Sequence, residues 1–250
     1  GKGGVGKTTT THALGTAFSK DHGLTVLMVD LDPQSSLTEA CGVYDAEGQS
    51  MAEILGGSSP GHKRLSSITR QLGERLYLAP STIEMARAQR DIASRITGRE
   101  TAVKRALNSL DGIDIVLMDC PPSLDMLTLN GLVAATHVII PSKPQIVDLR
   151  GLRLFLDTLD QIEDSNPDLT RLGILLTFWE RVNHHRDALE LLRSDPDLHV
   201  PVFHTKIGKS IRVAEGPAQG ESIIDYSPAN PRAEEYQALA EEVLECLKTS

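Results

Sequence analysis

A chain of 250 residues, 40% of them hydrophobic, is long enough to bury the core of one α/β domain without disulfides or metals. Its three cysteines, Cys41, Cys120 and Cys246, are widely spaced and form no C-x-x-C pair, which argues against a zinc site or disulfide framework and for a reducing, cytoplasmic setting. A formal charge of −9 excludes a surface that is basic all over, and no apolar run reaches the length of a membrane span or reads as a signal peptide.

The chain opens on GKGGVGKTTT, in which Gly1, Gly6, Lys7 and Thr8 satisfy G-x-x-x-x-G-K-[ST]. In that pattern loop N–H groups and a helix N-terminus surround phosphate oxygens, the lysine adds a point charge, and the Thr8 hydroxyl is offered to Mg²⁺. A helix is expected over 8–20. A phosphate loop hangs from a strand of its sheet and none precedes this one, so residues upstream of Gly1 are expected in the natural protein.

The first strand is expected over 25–30 (TVLMVD), ending in Asp30 and followed by Asp32. Ligands of open α/β sheets collect at such strand ends, where a carboxylate can order a water or hold waters bound to Mg²⁺. Residues 42–75, with GGSSPG inside them, are the least regular stretch and are expected at the surface. A strand over 76–79 follows, then a helix over 83–110 broken near Gly98. Next comes a strand over 113–119 that ends in Asp119, an apolar run closing on Asp as in a Walker B element.

A helix over 125–135, a strand over 137–141, a helix over 149–162, strands over 172–177 and 200–203, and helices over 184–194 and 233–248 complete the pattern. Short Val/Ile/Leu runs alternating with helical stretches predict one α/β domain over 1–250, a doubly wound, mostly parallel sheet flanked by helices. The window 204–212 carries Lys206, Lys209 and Arg212 with no acid, a local basic segment in an acidic chain. Arg150, Arg153, Arg181 and Arg186 are weaker basic candidates. His184 and His185 have no acidic partner at i+4 and read as surface or capping residues rather than metal ligands.

The string K-G-G-V-G-K-T-T resembles the deviant Walker A motif of the ParA/MinD branch of P-loop ATPases. The resemblance implies that Lys2 reaches across a dimer interface to the partner's ATP, and that Lys2, Gly3, Gly4, Val5, Gly6, Lys7, Thr8 and Thr9 hold ATP. D-L-D-P-Q is similar to that family's switch I, which makes Asp32 the water-positioning residue. D-C-P-P-S is similar to its switch II, which gives Asp119 a water linked to Mg²⁺, with Thr8 and Asp30 completing the metal site. With V-I-I-P, G-I-L-L-T and a C-terminal stretch containing Arg212 in an R-x-A-E-x-P pattern, the resemblance to ParA-type partition ATPases covers nearly the whole chain.

What the resemblance implies is an ATPase that dimerises on ATP, binds DNA non-specifically through residues such as Lys206, Lys209 and Arg212, associates with the nucleoid and is stimulated by a ParB-like partner. A MinD-like membrane-positioning ATPase shares this chemistry but needs a basic amphipathic tail, whereas 233–248 is rich in glutamate. A third reading is a scaffold that assembles on nucleotide without turnover. An electron carrier is disfavoured, because no cysteine sits in a convincing cluster-ligand context. Several positions depart from the pattern: Ser35 and Ser36 stand where Gly-Asn often follows D-P-Q, PSKPQIVDLRG replaces a stretch that commonly reads P-x-Q-x-E and contains aromatics, and Gly208 stands where proline is usual.

Overall fold

A computed structural model describes residues 4–56, 64–108, 110–162, 164–195 and 198–249. Gly1, Lys2 and Gly3 and most of GGSSPG lie outside the described residues.

The run VLMVD forms β1 (Val26–Asp30), in which every residue is buried. On one side β1 pairs in parallel with β3 (Leu76–Ala79), itself paired antiparallel with the two-residue β2 (Arg70–Gln71). On the other side it pairs in parallel with β4 (Ile115–Asp119), giving the order β2-β3-β1-β4. A second parallel ladder joins β5 (His137–Ser142) to β6 (Thr170–Leu176). The 200–203 run expected as a strand makes a single bridge, Val202 to Ile174. The mostly parallel sheet flanked by helices is the expected architecture.

Burial on both faces follows from the alternation within β1. Val26 and Met28 face one cluster with Leu14 and Phe18 of α1 (Lys7–Lys20) and Tyr236 and Leu239 of α11 (Pro231–Thr249). Leu27 and Val29 face another, with residues of α3 (Met51–Leu55), α4 (Met85–Ala93), α5 (Ala102–Leu107) and α6 (Met126–Ala134). A third cluster packs β5 and β6 against α7 (Ile146–Ile162) and α8 (Asn183–Ser194). Apolar residues on both faces of a strand require cover on both, which is why the sheet is wound twice.

The helix expected over 83–110 is two helices, α4 and α5; between them the Gly98 carbonyl accepts from the Arg105 guanidinium at 2.9 Å. The stretch expected to be irregular contains α2 (Ser36–Ala40) and α3. Ser50 and Glu53 form a reciprocal capping box at the start of α3, Glu53 accepting from the Ser50 N–H at 2.7 Å. Short helices α9 (Arg212–Glu215) and α10 (Ile223–Tyr226) lead into α11, with a 3₁₀ turn over Gly216–Gln219 after α9.

Two contacts tie these short elements together. A Cβ built on Gly42, just after α2, would stand 3.3 Å from the Gly220 Cα, and both glycines have φ near +73°. A small cavity of about 30 Å³ is walled by Thr8, Thr9 and His12 of α1, Ala40 of α2, and Val213 and Pro217. Burial pushes the His12 imidazole down to about 4, so it is neutral near pH 7.

Candidate active site at the strand ends

The phosphate loop turns through Gly4 and Gly6, whose φ of +75° and +85° fall in the left-handed region that suits glycine. Gly6 is the N-cap of α1 and supplies no side-chain cap, so the first-turn N–H groups are presented outward. The first turn contains no acid and carries Lys7 at its first position, which places a cation at the positive end of the helix dipole. That arrangement is unfavourable unless an anion sits between them. Val5 is buried and its carbonyl accepts the Thr177 hydroxyl at 2.9 Å, so the end of β6 supports the loop from below.

The parallel register sets Asp30 opposite Asp119 at adjacent strand ends. Thr8 donates its hydroxyl to Asp119 Oδ2 at 2.6 Å, while the buried Asp119 Oδ1 has no hydrogen-bond partner. An orphaned buried carboxylate oxygen beside a threonine hydroxyl offers oxygen to a hard cation that keeps most of its shell for water and phosphate, so the residues fit Mg²⁺. Among the described residues no group of three His, Cys, Asp or Glu could hold a metal. Burial pushes the Asp119 carboxyl up to about 7, opposed by the Thr8 hydrogen bond and the charge of Lys7.

Asp30 differs from Asp119 in being fully engaged. Its Oδ1 accepts the Asp32 N–H at 3.0 Å, and its Oδ2 accepts the Thr38 N–H at 2.9 Å and the Thr38 hydroxyl at 2.7 Å. Burial pushes Asp30 up to about 6, opposed by these three hydrogen bonds. Asp32 is half-buried, and its Oδ1 accepts the Gln34 N–H at 2.9 Å in a tight Asx turn. Thr9 and Thr8 line the small cavity against α2 and α9. Lys2 and Gly3, the other residues expected at the nucleotide, lie outside the described residues.

Sequence reasoning passed over Lys143, Phe178, Thr38 and Ser81. Lys143 Nζ lies 4.5 Å from the Phe178 ring centroid and 3.9 Å from where a Cβ on Gly4 would stand, so this cation overhangs the loop. The departure PSKPQ was the signal for it.

The basic window divides. Lys206 lies over the Trp179 ring, 5.5 Å from its centroid, in a cavity of about 270 Å³ lined also by Arg181, His204, Gly208, Arg232 and Glu235. Arg212 opens α9 and pairs with Glu215 at 3.0 Å, and the Lys209 N–H donates to the Trp179 carbonyl at 3.3 Å. Arg153 pairs with Asp195, and the Arg150 side chain is outside the described set. His185 is buried and its Nδ1 is within 3.0 Å of the Glu180 N; the His184 and His185 rings meet edge to face.

Acids of α11 fasten this loop. Glu242 accepts the N–H groups of His204 and Thr205 at 2.7 and 2.9 Å, and Glu235 accepts that of Gly208 at 2.8 Å while pairing with Arg232. A Cβ on Gly208 would fall 1.8 Å from Arg232 Nη1, so a side chain there would have to move the guanidinium that pairs with Glu235. Gly208→Pro removes the donor to Glu235 and collides with Arg232. It should cost about 2 kcal/mol, a fall of roughly 5 °C in thermal midpoint by calorimetry.

The family model described as AAA domain matches residues 1–171. The chromosome-partitioning ATPase Soj of Thermus thermophilus is 36% identical to this chain, across 97% of it and 92% of the relative. The chain belongs to the ParA/Soj family of ATPases. The sporulation initiation inhibitor protein Soj of Bacillus subtilis is also 36% identical, across 97% of this chain and 94% of the relative. A solved structure described as cobyrinic acid a,c-diamide synthase from Mycobacterium smegmatis, with bound ATP analog and magnesium, superposes with a TM-score of 0.83. It is 36% identical and covers 99% of this chain and 92% of that one.

Proposed function

We propose that this ParA/Soj-family chain is an ATP-driven partition switch that dimerises on ATP, binds DNA non-specifically as the dimer, and is reset by hydrolysis stimulated by a ParB-like partner. The observation that carries the reading is the meeting of Lys7, Thr8 and the unpartnered Asp119 oxygen at the end of β4, beside the Asp32 loop. Loop N–H groups and Lys7 bind and orient the phosphates of ATP. Thr8 would hold Mg²⁺ directly, with Asp30 and Asp119 holding it through bound waters, and the ion would supply charge neutralisation at the phosphates. Asp32 positions the attacking water, and Lys2 acts across the dimer on the partner's nucleotide. Residues 1–250 form one ATPase domain in this proposal, located in the cytoplasm on the nucleoid.

The MinD-like alternative calls for a membrane-facing helix with a basic polar face; among the described residues α11 instead buries Tyr236, Leu239 and Val243 and spends Glu235 and Glu242 on the neighbouring loop.

DNA binding is tested by ATP-dependent retention on duplex DNA of arbitrary sequence at low salt. The wild type is expected to be retained with ATP and released with ADP, and Arg212→Glu should weaken retention roughly tenfold, since it removes a phosphate contact and adds repulsion on each protomer. Absence of any ATP-dependent retention rejects DNA binding; normal retention by Arg212→Glu rejects the assignment of Arg212 alone.

A further inference from the structure

Asp32 lies outside any strand, yet its backbone is fixed at both ends, and both fixings lead to one side chain. We propose that Thr38 is a positioning residue for hydrolysis, whose single buried hydroxyl sets the geometry of the Asp32 loop. This rests on the reading of Asp32 as the residue that positions water.

The Thr38 hydroxyl donates to Asp30 Oδ2 at 2.7 Å and accepts the Ser81 N–H at 2.8 Å. A hydroxyl has one proton, so donating to the carboxylate aims its lone pairs at Ser81, and one rotamer satisfies both partners. Each partner then holds Asp32 from one side. Asp30 Oδ1 accepts the Asp32 N–H at 3.0 Å, and the Ser81 hydroxyl donates to the Asp32 carbonyl at 2.7 Å. The Asp32 side chain in turn closes its Asx turn on Gln34.

Asp30, Thr38 and Ser81 are respectively 0%, 2% and 1% exposed, so water cannot substitute for a missing member. Ser35, between Asp32 and Thr38, holds φ at +55°, a conformation that persists in a non-glycine residue only where its surroundings dictate it. Among the described residues, the phosphate loop shares no hydrogen bond with this network. Disturbing Thr38 should therefore displace the water-positioning group without loosening the grip on nucleotide, and a displacement near 1 Å can cost a hundredfold in rate.

The test compares Thr38→Val, Thr38→Ser, Ser81→Ala and Asp32→Ala in the full chain, using Mg-ATP hydrolysis, titration with a fluorescent ATP analogue and thermal melts. Thr38→Val should lower kcat at least tenfold with KM and analogue affinity within twofold of wild type. Thr38→Ser, which keeps the hydroxyl, should return kcat to within threefold. Should Thr38→Val fail to fold, Ser81→Ala carries the same expectation, since it removes the bond to the Asp32 carbonyl. Wild-type kcat in folded Thr38→Val, or in Ser81→Ala where the valine variant does not fold, overturns the inference, as does an equal loss in the valine and serine variants or a change confined to KM. If Asp32→Ala slows hydrolysis while Thr38→Val and Ser81→Ala do not, only the inference fails. If Asp32→Ala hydrolyses at the wild-type rate, the reading of Asp32 fails and takes the inference with it.

Discussion

Lys7→Ala is expected to weaken ATP binding at least a hundredfold, about 2.7 kcal/mol, while leaving the nucleotide-free fold intact. Lys7 is the first residue of α1, where no side chain caps the helix and no acid occupies the first turn. Removing it takes away the charge aimed at the phosphates but also relieves an unfavourable cation at the helix N-terminus. The two effects separate in a thermal shift experiment. The nucleotide-free midpoint should move by no more than a few degrees, and the rise on adding Mg-ATP should vanish. A preserved rise would mean that the loop amides alone hold the nucleotide.

Asp32→Ala is expected to leave ATP binding nearly intact and to slow phosphate release at least a hundredfold, the scale of removing a group that orients the attacking water. Its carboxylate makes one local hydrogen bond, to Gln34, while the backbone keeps its ties to Asp30 and Ser81. The fold should therefore lose about 1 kcal/mol or less. If hydrolysis resets a dimer, the variant accumulates as an ATP-bound dimer visible by sedimentation. Unaltered phosphate release would instead favour a scaffold that assembles on nucleotide without turnover.

What could be read ahead was local. An apolar run ending in Asp is visible in a line of text, and VLMVD and IVLMD became β1 and β4 with Asp30 and Asp119 side by side. The capping box of α3 was equally local, S-x-x-E at Ser50 to Glu53, and was passed over because the glycines and serines after it dominated the reading of 42–75. Thr38 and Ser81 were beyond reach. Neither belongs to a motif, and the bond between them spans 43 residues of chain. The glutamates of α11 gave no sign of their role, because a helical charge run does not name its partners. Here the partners of Glu235 and Glu242 are backbone N–H groups of a loop 27 and 38 residues upstream, which no pairing rule for side chains would propose.

The meeting of Gly42 with Gly220 has a mechanical meaning. Bare backbones in contact leave no side chain to yield between them, so α2 and the turn that follows α9 cannot approach more closely at this point. One end of α2 begins at the Asp32 loop, and α9 opens on Arg212. The residue proposed to position water and the residue proposed to meet DNA thus sit on segments that touch at a pair of glycines.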